Sequence, residues 1–328
     1  MSIKKIIRRF LFQSSNGMLL FSRFRQLREK RALRISDYEF IKKLYRERYG
    51  KDIDLNSPKG FGEKLQWLKL FYRDEWVPVC SDKYEVRNYL KQFGYEHLAN
   101  KVIGVYEDAG EIPFDELPKK FVAKATHGSG WNLICEDKDG LKWDDSVKLM
   151  NSWLRLNLFV FGREWNYKDI KPRIIVEEYI DHEPLNDYKL MCFNGEPLYV
   201  QLNNDFEGKH YVDFYDIKNW EHLDLTYTNF HRSDRLIEKP AKLDDMIEIA
   251  RVLSKRFPFV RMDFYQFDET VILGEMTFFP SSGMWPFIPE ENGYSELMGK
   301  ALILPKPNYN LELYERIMQG ENKTTEHN

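Results

Sequence analysis

The run FVRMDFYQFDETVILGEMTFFPSSG, residues 259 to 283, constrains the fold most, because it sets charges at alternate positions inside two apolar segments. Side chains along a strand alternate between faces, so Arg261, Asp263 and Tyr265 share one face of a first strand. Leu273, Glu275 and Thr277 share one face of a second. Closure through an odd-length loop, Asp268-Glu269-Thr270, pairs Phe267 with Val271 and brings Asp263 opposite Glu275 and Arg261 opposite Thr277. Like charges facing each other across about 5 Å destabilise a hairpin. A divalent cation reverses that sign, and two protein carboxylates completed by water or phosphate oxygens are a common way to hold Mg2+. A solvent-facing hairpin with scattered charges is the plainer alternative. Against it stand Phe259, Val260, Met262, Phe264, Ile272 and Met276, which bracket the charges with apolar residues.

The rest of the chain alternates hairpins with helices, which predicts an α+β fold with a largely antiparallel sheet. Ser36 with Glu39 forms a capping box ahead of a helix over 37–49, closed by Gly50. GEKLQWLKLFY reads as a second helix and SDKYEVRNYLKQFG as a third, with Ser81 as its cap and Gly94 as its stop. Strand patterns follow at 102–106, 120–126, 131–136 and 173–180, interrupted by a helix over 144–158. YKLMCF and PLYVQL flank Asn194-Gly195, a strong hairpin signal. YVDFYDI reads as a further strand and LDDMIEIARVLSKRF as a further helix. No internal repeat is visible. Three scattered cysteines, Cys80, Cys135 and Cys192, lack metal-ligand spacing and fit a reducing, cytoplasmic compartment.

A second concentration of chemistry lies in KKFVAKATHGSGWNLI, residues 119–134. Phe121, Ala123 and Ala125 face one way, and Lys124 faces the other beside the loop His127-Gly128-Ser129-Gly130. A lysine there reaches an anion held over the loop, and glycines let backbone N–H groups approach phosphate oxygens. The pattern is neither GxxxxGK[ST] nor GxGxxG, so an ordinary turn beside a strand lysine stays open. His127 either touches phosphate or caps backbone. A third concentration is VEEYIDHEPLNDYKL, residues 176–190, where a strand closing in Glu177 and Glu178 leads on to Asp187 and Lys189. Such a segment can offer an acceptor to an adenine amino group, backbone to the ring and a carboxylate to ribose. Ordinary surface glutamates are the alternative. The histidines show no HExxH spacing, and GxSxG is absent.

Taken in order, GEKLQWLKLFY, SDKYEVRNYL, KFVAKATHGSGWN, FGREWNYKDIKPRIIVEEYI, DYKLMCFNG, FPFVRMDFY and GEMTFFPSSG resemble the TupA-like ATP-grasp family associated with surface-polysaccharide genes. The resemblance covers most of residues 60–283. It implies two α+β subdomains clamping ATP, with a lid over 111–180 and a core with the metal site over 181–305. These follow an N-terminal region over 36–110 and precede a C-terminal helix and tail over 306–328. It also implies that Lys83, Lys124, Lys189 and the loop 127–130 contact phosphates and that Glu177 and Glu178 with Tyr179 and Ile180 receive adenine. Asp187 would hold ribose, Asp263 and Glu275 would bind Mg2+, and Arg261 would steady the transferred phosphoryl group with Lys189, Ser282 and Gly283 nearby. Many ATP-grasp ligases carry asparagine where this chain has Thr277, whose hydroxyl can still meet Mg2+. The activity implied is an ATP-dependent ligation joining a uronic acid carboxylate of a capsule-type or O-antigen-type polysaccharide, or its precursor, to an amine such as an amino acid. A glycosyltransferase or an ATP-grasp kinase are the alternatives.

Residues 1–35 carry ten Lys/Arg against Glu29, while the whole chain has a net charge of -3. Lys4, Lys5, Arg8 and Arg9 among Ile3, Ile6, Ile7, Phe10, Leu11 and Phe12 fit a basic amphipathic helix on an anionic inner-membrane face. A basic helix docked on the acidic remainder of the chain fits equally. Nucleic acid is not an expected partner, since no recognised motif accompanies the charge. No apolar run reaches the roughly 20 residues of a spanning helix.

Overall fold

The computed structural model describes residues 34–182, 186–206 and 209–320. The basic segment expected over 1–35 therefore lies almost wholly outside the described residues, as does the end of the tail. Along the chain run α1 (Asp37–Tyr49), α2 (Phe61–Phe71), α3 (Trp76–Ser81), α4 (Val86–Gln92) and β1 (Val102–Tyr106). Then come β2 (Phe121–Ala125), β3 (Asn132–Cys135), α5 (Trp143–Trp153), α6 (Phe159–Gly162) and β4 (Ile174–Glu178). After these follow β5 (Asn186–Phe193), β6 (Glu196–Phe206), β7 (Lys209–Asp216), β8 (Thr226–Tyr227), α7 (Leu243–Ser254), β9 (Phe259–Phe267) and β10 (Thr270–Thr277). The last elements are β11 (Phe287–Ile288), α8 (Tyr294–Ala301) and α9 (Leu311–Met318).

The chain divides into two compact units, one of Met1–Ser36 with Pro78–Pro184, the other of Asp37–Val77 with Leu185–Asn328. The first unit holds a four-stranded antiparallel sheet in the order β1-β4-β2-β3. The alternation read from KFVAKA is present: Phe121, Ala123 and Ala125 are fully buried, with Lys124 between them on the opposite face. Met150 and Trp153 of α5, together with Ile174 and Val176 of β4, complete that core. Burying such side chains contributes roughly 1.5–3 kcal/mol each.

The second unit is built on a five-stranded antiparallel sheet, β10-β9-β5-β6-β7, beside the two-stranded pair β11-β8. Asn194 and Gly195 both take positive φ, 50° and 90°, and close the β5–β6 hairpin where the sequence placed it. Leu190, Cys192, Val260, Met262 and Phe264 are fully buried on one face of its central strands, and Met246, Ala250 and Leu253 of α7 are buried with them. The alternate residues of β5 and β9 put charge on the other face.

Several boundaries differ from the sequence reading, each for a local reason. Ser81 ends α3, and it is the Asp82 carboxylate that accepts from the N–H groups of Tyr84 and Glu85, so α4 starts only at Val86. The helix expected over 144–158 stops at Trp153, because Asn157 accepts from the Phe159 N–H and opens α6 as a separate turn. The late hairpin closes through two residues instead of three, so Phe267 pairs with Thr270 and not with Val271.

Candidate active site

A bulge restores the register that the shorter turn would have lost. From Thr270 to Leu273 the pairing runs one residue off the expected register, and Leu273 meets Phe264 on the apolar face instead of sharing the charged one. Between Leu273 and Glu275 the ladder shifts, and beyond it Glu275 pairs with Asp263 and Thr277 with Arg261. One extra residue on a strand is what a bulge inserts. That residue, Gly274, has no room for a side chain, since a Cβ would lie 2.6 Å from the Tyr265 ring.

Neutralisation of the two acids differs from the expectation that they tolerate each other only through a metal. Arg261 lies two residues before Asp263 and grips it with both Nε and Nη2 at 2.7 Å, a fork matched to a carboxylate. Lys189 of β5, paired in register with Asp263, donates to its Oδ2 at 2.8 Å and also to Asp187. Asp263 is 2% exposed, Lys189 8% and Arg261 10% at the side chain, whereas Glu275 is 30% exposed. Thr277 donates its hydroxyl to Glu275 Oε1 at 3.1 Å and accepts from Arg261 at 3.3 Å, so it braces Glu275.

Charge states follow from this packing. Burial works against the Arg261 cation, but Asp263 outweighs it and raises the guanidinium above its ordinary range. Burial likewise opposes the Lys189 ammonium, and Asp263 together with Asp187 and Glu275 turns the direction upward. Asp187 is pushed up to about 6, first by burial and then by the neighbouring Asp263 charge. With every group ionised, Asp187, Asp263 and Glu275 exceed Lys189 and Arg261 by one negative charge.

The donor set fits Mg2+ in kind: Asp263 and Glu275 offer hard oxygens from adjacent strands, and Asp263 Oδ1, which accepts from Arg261 Nε while Oδ2 takes both Arg261 and Lys189, keeps a lone pair. Asp187 Oδ1 is a buried oxygen without a hydrogen-bond partner. Among the described residues, no group of three or more His, Cys, Asp or Glu is placed to hold a metal by itself. Bound magnesium would therefore take its remaining positions from water or phosphate.

Directly after β10 the chain makes a left-handed turn, with φ of 51°, 57° and 59° at Ser281, Ser282 and Gly283. Left-handed backbone costs a non-glycine residue roughly 1–2 kcal/mol. Two buried polar residues of α2 hold the turn: Lys69 donates to Ser282 O at 2.6 Å and Oγ at 2.8 Å, and Gln66 to the carbonyls of Ser282 and Gly283 at 3.0 Å. Sequence reading missed both, although a lysine and a glutamine on the apolar face of KLQWLKLF were a visible anomaly. Gln201 of β6, in register with Lys189, was also missed; it is 4% exposed and donates to Asn203.

In the first unit, Lys124 Nζ donates to Glu177 Oε2 at 2.8 Å, and Arg87, which the sequence reading passed over, donates to Oε1 at 2.8 Å. Glu177 is almost buried, yet Lys124 and Arg87 outweigh the burial and hold its carboxyl below the ordinary range. Lys83 donates to the Gly128 carbonyl at 2.5 Å. Gly128 itself lies under Trp131, where a Cβ would approach the ring to 2.3 Å. His127 is buried and its Nε2–H reaches Trp153 O at 3.1 Å, which is the backbone-capping alternative, and burial lowers its pKa. Glu178 pairs with Lys101 near the surface. Lys120 lies 5.4 Å from the centre of the Tyr179 ring.

A model of the TupA-like ATP-grasp family matches residues 63–303, and the chain belongs to that family. Among solved structures, the D-alanine–D-alanine ligase from Helicobacter pylori is similar at 15% identity, over 76% of this chain and 70% of that chain, with a TM-score of 0.39. The D-alanine–D-alanine ligase from Bacillus anthracis is similar at 18% identity, over 74% of this chain and 70% of that chain, with a TM-score of 0.37. The ATP-grasp ligase PsnB with its minimal precursor is similar at 11% identity, over 70% of this chain and 62% of that chain, with a TM-score of 0.39. The family membership rests on the sequence match and not on these distant likenesses. Comparison with curated proteins gave no match. Among the described residues no helix is long and apolar enough to cross a membrane.

Proposed function

We propose that the protein is an ATP-dependent ligase that activates a carboxylate as an acyl phosphate and passes it to an amine. The observation that carries this reading is the charged face of β5, β9 and β10, where Asp263 stands opposite Glu275 with Arg261 and Lys189 fixed beside them. Lys124 and the loop 127–130 bind phosphates, with Lys83 setting the loop's carbonyl; the backbone at Tyr179 and Ile180 receives adenine, and Asp187 meets ribose. Asp263 and Glu275 hold magnesium, which supplies positive charge against the phosphate oxygens.

An oxygen of the substrate carboxylate attacks the γ-phosphorus, the bond to the bridging oxygen breaks and ADP leaves. The amine nitrogen then attacks the acyl carbon, phosphate departs with the C–O electron pair, and the nitrogen loses a proton. Arg261 and Lys189 contribute fixed positive charge at the transferring group without reorganising, because Asp263 already orients both. Serine and glycine of the turn 281–283 line the acceptor side. The acceptor class we favour is a uronic acid of a surface polysaccharide or its precursor, with an amino acid as amine, made on the cytoplasmic side of the membrane; this class rests on the family resemblance.

The test is release of ADP and inorganic phosphate across pairs of uronates and amines, with the adduct weighed by mass spectrometry. Ligation requires both co-substrates and yields one phosphate per amide. Phosphate retained on a single acceptor with no amine requirement would make the protein a kinase instead.

A further inference from the structure

One turn of chain, residues 82–87, sets four alternating charges against the sheet of the first unit. Asp82 and Glu85 both bind Arg173 at 2.9 Å, just ahead of β4, and Asp82 is 2% exposed. Lys83 reaches Gly128 O in the loop. Arg87 divides its guanidinium among three acceptors: Nη1 donates to Lys83 O at 2.6 Å, and Nη2 donates to Asn100 O and to Glu177 Oε1, each at 2.8 Å. The other oxygen of Glu177 accepts from Lys124 at 2.8 Å.

We propose that Arg87 is a positioning residue for Lys124, acting through Glu177, and that Glu177 serves this pair instead of accepting from an adenine amino group. The proposal rests on the reading of Lys124 as a phosphate-binding group. A carboxylate facing one lysine alone would form a neutral pair and compete with an incoming phosphate for the ammonium. With Arg87 on Oε1, Glu177 presents a single oxygen to Lys124, and the three groups together keep one positive charge. An ammonium carries three donors, so two are left for an anion. Arginine keeps its charge across the working pH range, and its rigid planar fork holds its acceptors in a fixed arrangement, which a flexible ammonium does not impose. The carbonyls of Lys83, on Nη1, and Asn100, on the same Nη2 that reaches Glu177, fix the guanidinium in place, so the carboxylate meets a held cation. Both Glu177 oxygens are then committed to cations, and Lys124 and Arg87 retain 23% and 22% side-chain exposure while Glu177 has 6%.

Calorimetric titration of the full chain with Mg2+-ATP, and separately with adenosine, tests the idea. Arg87→Met should weaken ATP roughly tenfold, as expected for loss of one charge-assisted contact. Adenosine affinity should stay unchanged, and in a Lys124→Ala background Arg87→Met should add less than about twofold. Arg87→Lys, which restores the charge but not the fork, should recover part of the ATP affinity, and it also serves if the methionine variant fails to fold. Equal loss of ATP and adenosine, full additivity with Lys124→Ala, or no recovery in Arg87→Lys would each overturn the proposal. If Lys124→Ala alone leaves ATP affinity unchanged, the phosphate reading of Lys124 fails and this inference falls with it, whereas additivity sinks the inference and spares the reading.

Discussion

The Lys124–Glu177–Arg87 group of the first unit and the Asp187–Lys189–Arg261–Asp263–Glu275 group of the second use the same ingredients in opposite proportion. In the first, one buried acid sits inside two partly exposed cations, and the sum is positive. In the second, two buried cations sit among three acids, and the sum is negative. Both exploit a strand's alternation to lift charge off an apolar face. On the function proposed above, a partly exposed positive group would suit a phosphate and a negative group with its cations locked inside would suit a metal carrying phosphate, so the difference in sign would separate the two tasks.

The most severe way to break the contrast is Asp263→Asn, which strips the shared anion from two buried cations. Removing one partner of a buried ion pair typically costs about 3–5 kcal/mol. Urea denaturation should show a loss of that order, along with loss of ADP formation; a variant as stable as the parent would mean that the cations do not depend on Asp263. Lys124→Ala comes next: ATP affinity measured by calorimetry should drop roughly ten- to a hundredfold, with little change in the second unit's metal dependence. Asp187→Asn sharpens the comparison through pH. A carboxyl raised to about 6 in the folded chain holds its proton longer than it does unfolded, so its contribution to stability declines as pH rises from about 4 to about 6 and is flat above. The stability gap between variant and parent should widen by about 1–2 kcal/mol across that window, and a constant gap would refute the raised pKa. Glu275→Gln should be mildest for folding, within about 1 kcal/mol, because this side chain is partly exposed. Its effect should fall on the Mg2+-dependent part of ATP binding, and an unaltered magnesium titration would remove Glu275 from the metal site.

Alternation made the faces of β2 and β9 legible, and Asn194-Gly195 marked its hairpin. Asp263 opposite Glu275 was also readable, yet by a route that differs from the one the chain takes, since neither the two-residue turn nor the bulge has a signature that outweighs local spacing. Ser81 looked like a cap because hydroxyls often are; Asp82, one residue on, competes better for the same N–H groups. Arg87 was invisible for another reason: its partners are the carbonyls of Lys83 and Asn100 and the distant Glu177, and no periodicity within one helix reports a contact made across the sheet. Lys69 and Gln66 were detectable as polar intrusions, but their target, the carbonyls of a left-handed turn, appears only once the chain is folded.

Gly274 makes the meeting of the two acids a matter of parity. A turn shortened by one residue and a strand lengthened by one cancel, so either change alone would swing Glu275 and Thr277 to the opposite surface of the sheet. Single-residue insertions or deletions anywhere between Phe267 and Glu275 should therefore be silenced in pairs and ruinous singly, which ties the evolution of an exposed loop to that of a buried carboxylate.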